Sequence, residues 1–138
     1  MSYKYLEHTT DALIEVNAKT LEDAFSVAGK SVVETIIDSS NIQEIEEKNI
    51  KVKGRNLLNL LYNWLEEIVT MTITDGFAIK NFSVDIKKNE EYHIVSKVSG
   101  EKLDLKKHNF KVEIKSPTFH LMEIKENDEV TMQYLLDL

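Results

Sequence analysis

No cysteine occurs in the 138 residues, which removes disulfides, thiolate nucleophiles and Cys-based zinc sites together. Any metal must therefore be held by oxygen or imidazole. The four histidines, His8, His93, His108 and His120, show no His-x-x-x-His spacing. That disfavours a transition-metal site and favours a hard cation with oxygen ligands. Proline is nearly missing too: Pro117 stands alone, with four glycines. No linker, internal repeat or low-complexity tract divides the chain, so residues 1–138 read as one domain. Arginine is represented only by Arg55, and the net charge is -7. Both argue against a large nucleic-acid footprint, because phosphate neutralisation needs clustered Lys and Arg. If RNA is involved, contact is expected only through a basic partner protein, which an acidic surface would attract. No apolar run approaches the roughly 20 residues of a membrane span. The start, Met1-Ser2-Tyr3-Lys4-Tyr5, is not a secretory signal. A soluble, cytoplasmic protein is expected. Gly-x-Gly-x-x-Gly, Gly-Lys-Ser/Thr and Gly-x-Ser-x-Gly are all absent, so nucleotide-binding and serine-hydrolase templates have no support.

What is present suffices for a continuous core: 42% of the residues are hydrophobic. Two segments have helical spacing. The first is predicted from about Leu21 to about Ile37, with Thr20 at the cap and Asp23 three residues on, a variant of the capping box. Leu21, Phe25, Ala28, Val32 and Ile36 share one face. The second is predicted from about Asn56 to about Thr72, with a stripe of Leu57, Leu61, Trp64, Ile68 and Met71 widened by Leu58, Leu60 and Leu65. Most of the remainder alternates with period two. Phe82, Val84 and Ile86 oppose Ser83, Asp85 and Lys87, and Asn89-Glu90-Glu91 turns the chain into Tyr92–Val98. Ile50–Val52, Val112–Ile114 and Met122–Ile124 read as shorter strands. The last strand sets Val130, Met132, Tyr134 and Leu136 against Thr131, Gln133, Leu135 and Asp137. This is the pattern of an α+β domain, a mainly antiparallel β-sheet with two amphipathic helices packed on it.

Three polar clusters stand out. Glu7-His8-Thr9-Thr10-Asp11 packs two acids, an imidazole and two hydroxyls between apolar runs, although a polar turn closed by an Asp has the same composition. The second is Gly100–His108, where a strand runs into a basic turn. The third is Lys115–His120, a Pro-bearing connection between strands. A lone His in such a place more often serves structure than binding. The end of the chain is less ordinary. Strand periodicity continues to Leu138, so Asp137 and a terminal carboxylate would be held in place, and Asp11 would complete three anionic groups suited to Ca²⁺ or Mg²⁺. Spacing alone does not bring residue 11 to residue 137.

The sequence resembles the archeases. Glu7–Asp11 is similar to their Glu-His-Thr-Ala-Asp opening, and Lys19-Thr20-Leu21-Glu22-Asp23-Ala24-Phe25 to the start of their first helix. Trp64-Leu65-Glu66-Glu67, Gly100-Glu101…Asp104…Lys107-His108, Lys115…Thr118-Phe119-His120 and the closing Asp137-Leu138 follow in the same order. Thr10 stands in place of Ala, Ala12-Leu13 in place of Val/Ile-Gly, Phe119 in place of a common Tyr, and Pro117 in place of a β-branched residue. The resemblance implies a small α+β protein that activates the RtcB-type tRNA-splicing ligase, promoting its GTP-dependent guanylylation and repeated turnover. It implies a divalent cation, usually calcium, held by Asp11, Asp137 and Leu138. A chaperone-like role toward a tRNA methyltransferase is implied as well. Glu7, His8, Glu101 and His108 are expected to line the same region and to take part in activating the partner. The expectation is a non-enzymatic activator. Its rivals are a chaperone or specificity factor for an RNA-modifying enzyme, and a metal-dependent hydrolase or nuclease using the same carboxylates.

Overall fold

The computed structural model describes residues 1–6 and 11–138. Glu7 and His8, two of the expected site residues, lie outside the described residues. The strands are β1 (Ser2–Leu6), β2 (Asp11–Ala18), β3 (Glu46–Gly54), β4 (Phe77–Lys88), β5 (Tyr92–Lys102), β6 (Ser116–Glu126) and β7 (Val130–Asp137), and the helices are α1 (Leu21–Ile36) and α2 (Leu57–Val69).

α1 starts where its sequence says it should. The Thr20 hydroxyl accepts the Asp23 N–H at 3.1 Å, satisfying a donor the helix cannot use internally. Asn56 caps α2 in the same way, accepting from the Asn59 N–H at 2.8 Å. α2 runs on through a wide π turn, Thr70–Thr74, in which the buried Thr72 hydroxyl has no hydrogen-bond partner among the described residues. The α2 stripe holds in part: Leu60, Leu61, Trp64, Leu65 and Ile68 are buried, whereas Leu57 is half-buried and Leu58 exposed.

All strand pairs are antiparallel, as expected, but the sheet is divided in two. One sheet has the order β1-β2-β7-β6, the other β3-β5-β4. The helices form a layer between them. α1 packs on β2 and β7 on one side and on β4 on the other, and α2 on β6 and on β3. Hence α1 is buried around most of its girth, with Gly29, Ser31 and Thr35 buried as well as Phe25 and Val32. Gly29 is small for a reason: a Cβ there would lie 2.8 Å from the Phe82 ring of β4. Trp64 ties the layers together, its indole N–H donating to the Phe25 carbonyl at 2.9 Å and its ring meeting Phe82 edge-on.

Three local expectations are corrected. Val112–Ile114 is loop, although Ile114 inserts into the core. Lys115–His120 is no connection: Ser116 onward is β6, where Pro117 is tolerated because β6 is an edge strand with β7 as its single neighbour. Leu135, placed on the polar face of the last strand, is buried in register with Leu13.

Candidate functional site

β2 and β7 are adjacent inner strands, and their register sets the site. Asp11, the first residue of β2, is the direct cross-strand partner of Asp137, the last of β7. Directly opposed residues of an antiparallel pair project to the same face, with Cβ atoms about 5 Å apart. Two carboxylates are therefore brought together from opposite ends of the sequence, and Leu138 follows immediately. On the other flank Asp137 pairs with Ser116, and its carbonyl accepts the Lys115 N–H at 2.8 Å, so the end of β7 is held on both sides. Two acids so placed offer oxygen ligands from two strands to a single cation.

Beside this pair lies a recess of about 720 Å³, lined among others by Tyr5, Asp11, Glu34, Lys111 and Leu138. Its parts are braced from beneath. The Tyr5 hydroxyl bonds the Thr35 hydroxyl at 2.8 Å, fixing the end of β1 on α1. Lys111 reaches the Glu34 carboxylate at 3.3 Å and the Glu34 carbonyl at 2.9 Å, while the other Glu34 oxygen accepts the Ser39 N–H at 3.0 Å. Burial, reinforced by the neighbouring Tyr5 and Glu34, pushes the Tyr3 hydroxyl up to about 12, so it stays neutral in this acidic setting.

Among the described residues no group of three or more His, Cys, Asp or Glu is placed to hold a metal ion. Of the ligands that the resemblance implies, register sets Asp11 opposite Asp137, with Leu138 next along the chain. An all-oxygen set of this charge fits a hard cation that keeps several waters, and does not fit zinc or copper.

Glu101 and His108 form a cluster of their own. The Glu101 carboxylate takes Lys107 Nζ at 2.9 Å, the Gln43 N–H at 2.8 Å and His108 Nε2 at 3.0 Å. These contacts, that of Lys107 foremost, hold its carboxyl down to about 2. The His108 Nδ1 accepts the Asp104 N–H at 3.0 Å, which puts the ring proton of the neutral form on Nε2, facing Glu101. The Asp104 carboxylate accepts the Lys106 and Lys107 N–H groups and is held below its usual range by them. The His108 carbonyl accepts the Asp38 N–H, and the Lys111 N–H reaches the Ile36 carbonyl. The cluster therefore fastens the loop after β5 to the end of α1. Its members are not among the residues lining the recess beside Asp11. Tyr5, Glu34 and Lys111, which do line it, carry no motif; they come from three separate elements and were missed for that reason. In the third polar cluster His120 is exposed and Phe119 stacks on Tyr62, ring centroids 4.5 Å apart.

Comparison with known proteins gives a consistent picture. The sequence model of the Archease protein family (MTH1598/TM1083) matches residues 3–138. The archease of Pyrobaculum islandicum is 34% identical over 141 residues, covering 100% of this chain and 96% of its own. That of Methanopyrus kandleri is 34% identical over 140 residues, covering 100% of both. The solution structure of Methanobacterium thermoautotrophicum protein 1598 has a TM-score of 0.81 at 27% identity, covering 99% of each chain. The crystal structure of a Thermotoga maritima archease, described as a possible chaperone, has a TM-score of 0.61 at 20% identity, covering 98% of this chain and 96% of that one, and shows the shared fold.

Proposed function

Because the chain belongs to the archease family, we propose that it is a non-enzymatic activator of an RtcB-type tRNA-splicing RNA ligase in the cytoplasm, promoting the ligase's GTP-dependent guanylylation and repeated turnover. The observation that supports this reading is the register of β2 and β7, which sets the Asp11 carboxylate opposite that of Asp137. With the oxygens of Leu138 they would hold a divalent cation, calcium by family resemblance. A cation bound there supplies positive charge to phosphate oxygens. The chain's own part is to fix the geometry. Asp11 and Asp137 are set by strand register, and the Tyr5–Thr35 and Glu34–Lys111 contacts keep the neighbouring recess open as a seat for a partner segment. The net charge of -7 favours encounter with a basic partner.

The test mixes the purified chain with the ligase, GTP and metal, and follows guanylylated ligase. Stimulation that disappears with Asp11→Ala is expected. Absence of stimulation, or full stimulation by Asp11→Ala, overturns the mechanism. A chaperone or specificity factor for a tRNA methyltransferase would instead bind its partner without Asp11, and a metal-dependent hydrolase or nuclease would turn over RNA or nucleotide alone.

A further inference from the structure

The lysines of the molecule are unevenly spread, and four of them gather on the sheet remote from Asp11. β3, β5 and β4 bury alternate side chains against the helices and present the others to solvent. Strand register places the outward residues in rows. Lys53, His93 and Lys87 lie side by side; next come Lys51, Val95 and Asp85, then Asn49, Lys97 and Ser83. Four lysines from three strands thus share one open face, neighbouring strands about 4.8 Å apart and same-face residues along a strand roughly 7 Å apart. Asp85 is the one acid within these rows. Glu47 lies at the far end with Glu44, whose carboxylate accepts the Asn81 and Ser99 side chains, and Glu90 and Glu91 in the hairpin turn are matched by Lys88 and Arg55 at the other. None of Lys51, Lys53, Lys87 and Lys97 has a carboxylate within ion-pair distance among the described residues. In a chain rich in acids, four lysines without an ion pair share one face with a single acid among them and repel one another for no structural return.

The middle of the face is not charged. Val95 is 46% exposed between Lys51 and Asp85, with His93 and Lys97 before and after it on β5. A shallow depression of about 260 Å³ runs over Lys51, Lys53, His93 and Val95. An apolar floor with an imidazole, framed by ammonium groups, matches an unstacked base with phosphates on either side. Asn49 and Ser83, flanking Lys97, are neutral groups suited to a ribose hydroxyl. Lysine without arginine on this face suits backbone contact rather than base-edge readout.

We propose that the outer face of β3-β5-β4, through Lys51, Lys53, Lys87 and Lys97 around Val95 and His93, binds single-stranded RNA without sequence preference. This goes beyond the activator reading and is independent of it, since none of these residues belongs to the Asp11–Asp137 sheet. It also revises the expectation that RNA is met only through a partner: the net charge averaged away a local surface.

The experiment titrates a fluorescein-labelled single-stranded uridine oligomer with the full chain and follows anisotropy against salt. Four phosphate contacts at about -0.7 each give a log–log slope of about -2.8, or about 50-fold weakening between about 50 and 200 mM salt. Lys51→Gln with Lys97→Gln is expected to halve the slope, leaving about sevenfold weakening. Lys19→Gln, in the turn before α1, leaves the slope unchanged. Three results would overturn the proposal: no anisotropy change at about 50 mM salt, an unaltered slope in the double variant, or displacement of the oligomer by poly-glutamate as readily as by unlabelled uridine oligomer. The last would make the face a site for acidic protein instead.

Discussion

The Asp11–Asp137 pair makes a prediction that depends on what is bound. In cation-free protein Asp137→Asn, an exposed substitution at the end of β7, is expected to change stability by no more than a few tenths of a kcal/mol. With calcium at about 100 times its dissociation constant, the natural protein gains about 2.7 kcal/mol and the variant does not. Thermal melts with calcium and with chelator measure both halves. An unchanged melting temperature on adding calcium to the natural protein counts against the site. Tyr134 supplies a second test. Its ring is buried on β7 and its hydroxyl bonds Ser31 of α1, and burial raises its ionisation far above the usual tyrosine range. Tyr134→Phe removes one buried hydrogen bond and is expected to cost about 1 kcal/mol in urea unfolding with the slope unchanged. Residue types drew attention to Asp11 within Glu7–Asp11, and only the resemblance to archeases joined it to Asp137 and Leu138. Residue types could not point to Glu34 or Lys111, whose role depends on where α1 and a loop come to rest.

At the scale of elements, capping and latching carry separate consequences. Thr20→Ala removes the cap of α1 and is expected to cost about 1 kcal/mol. The latch of Glu101, Lys107 and His108 predicts an acid transition. The Glu101 carboxyl falls from an ordinary value of 4.5 to about 2 on folding. Its contribution is therefore complete above about pH 4.5 and is lost as pH falls from there toward about 2. Glu101→Gln should flatten the pH dependence of stability in that window, read from denaturant midpoints across the acid range. The elements themselves were legible wherever the period was long: both helices, β4 into β5, and β7. Val112–Ile114 misled because Ile114 is apolar for the core, while its backbone is held as loop through Lys111 to Ile36 and Lys115 to Asp137. Pro117 misled in the opposite sense, since an edge strand tolerates what an inner strand does not.

For the molecule as a whole, the division into two sheets was the least legible feature. Period-two patterns do not say which strand joins which sheet. The available sign lay in α1, where Gly29, Ser31 and Thr35 interrupt the polar side of an amphipathic helix because that side is covered as well. The layered arrangement predicts graded protection. Amides of β2 and β7, paired on both flanks, should exchange more slowly than those of the edge strands β1 and β6 in native-state hydrogen exchange.

The position of β7 between β2 and β6 also bears on how the chain is made. Synthesis proceeds from the N-terminus, yet β2 has to wait for residues 130–137 before its second flank is covered. One whole layer can therefore close only after residues 130–137 have emerged from the ribosome, and its pairing is long-range and correspondingly slow. A nascent chain stalled before β7 has Asp11 but not its counterpart. The acidic pair thus exists only once synthesis has passed Asp137.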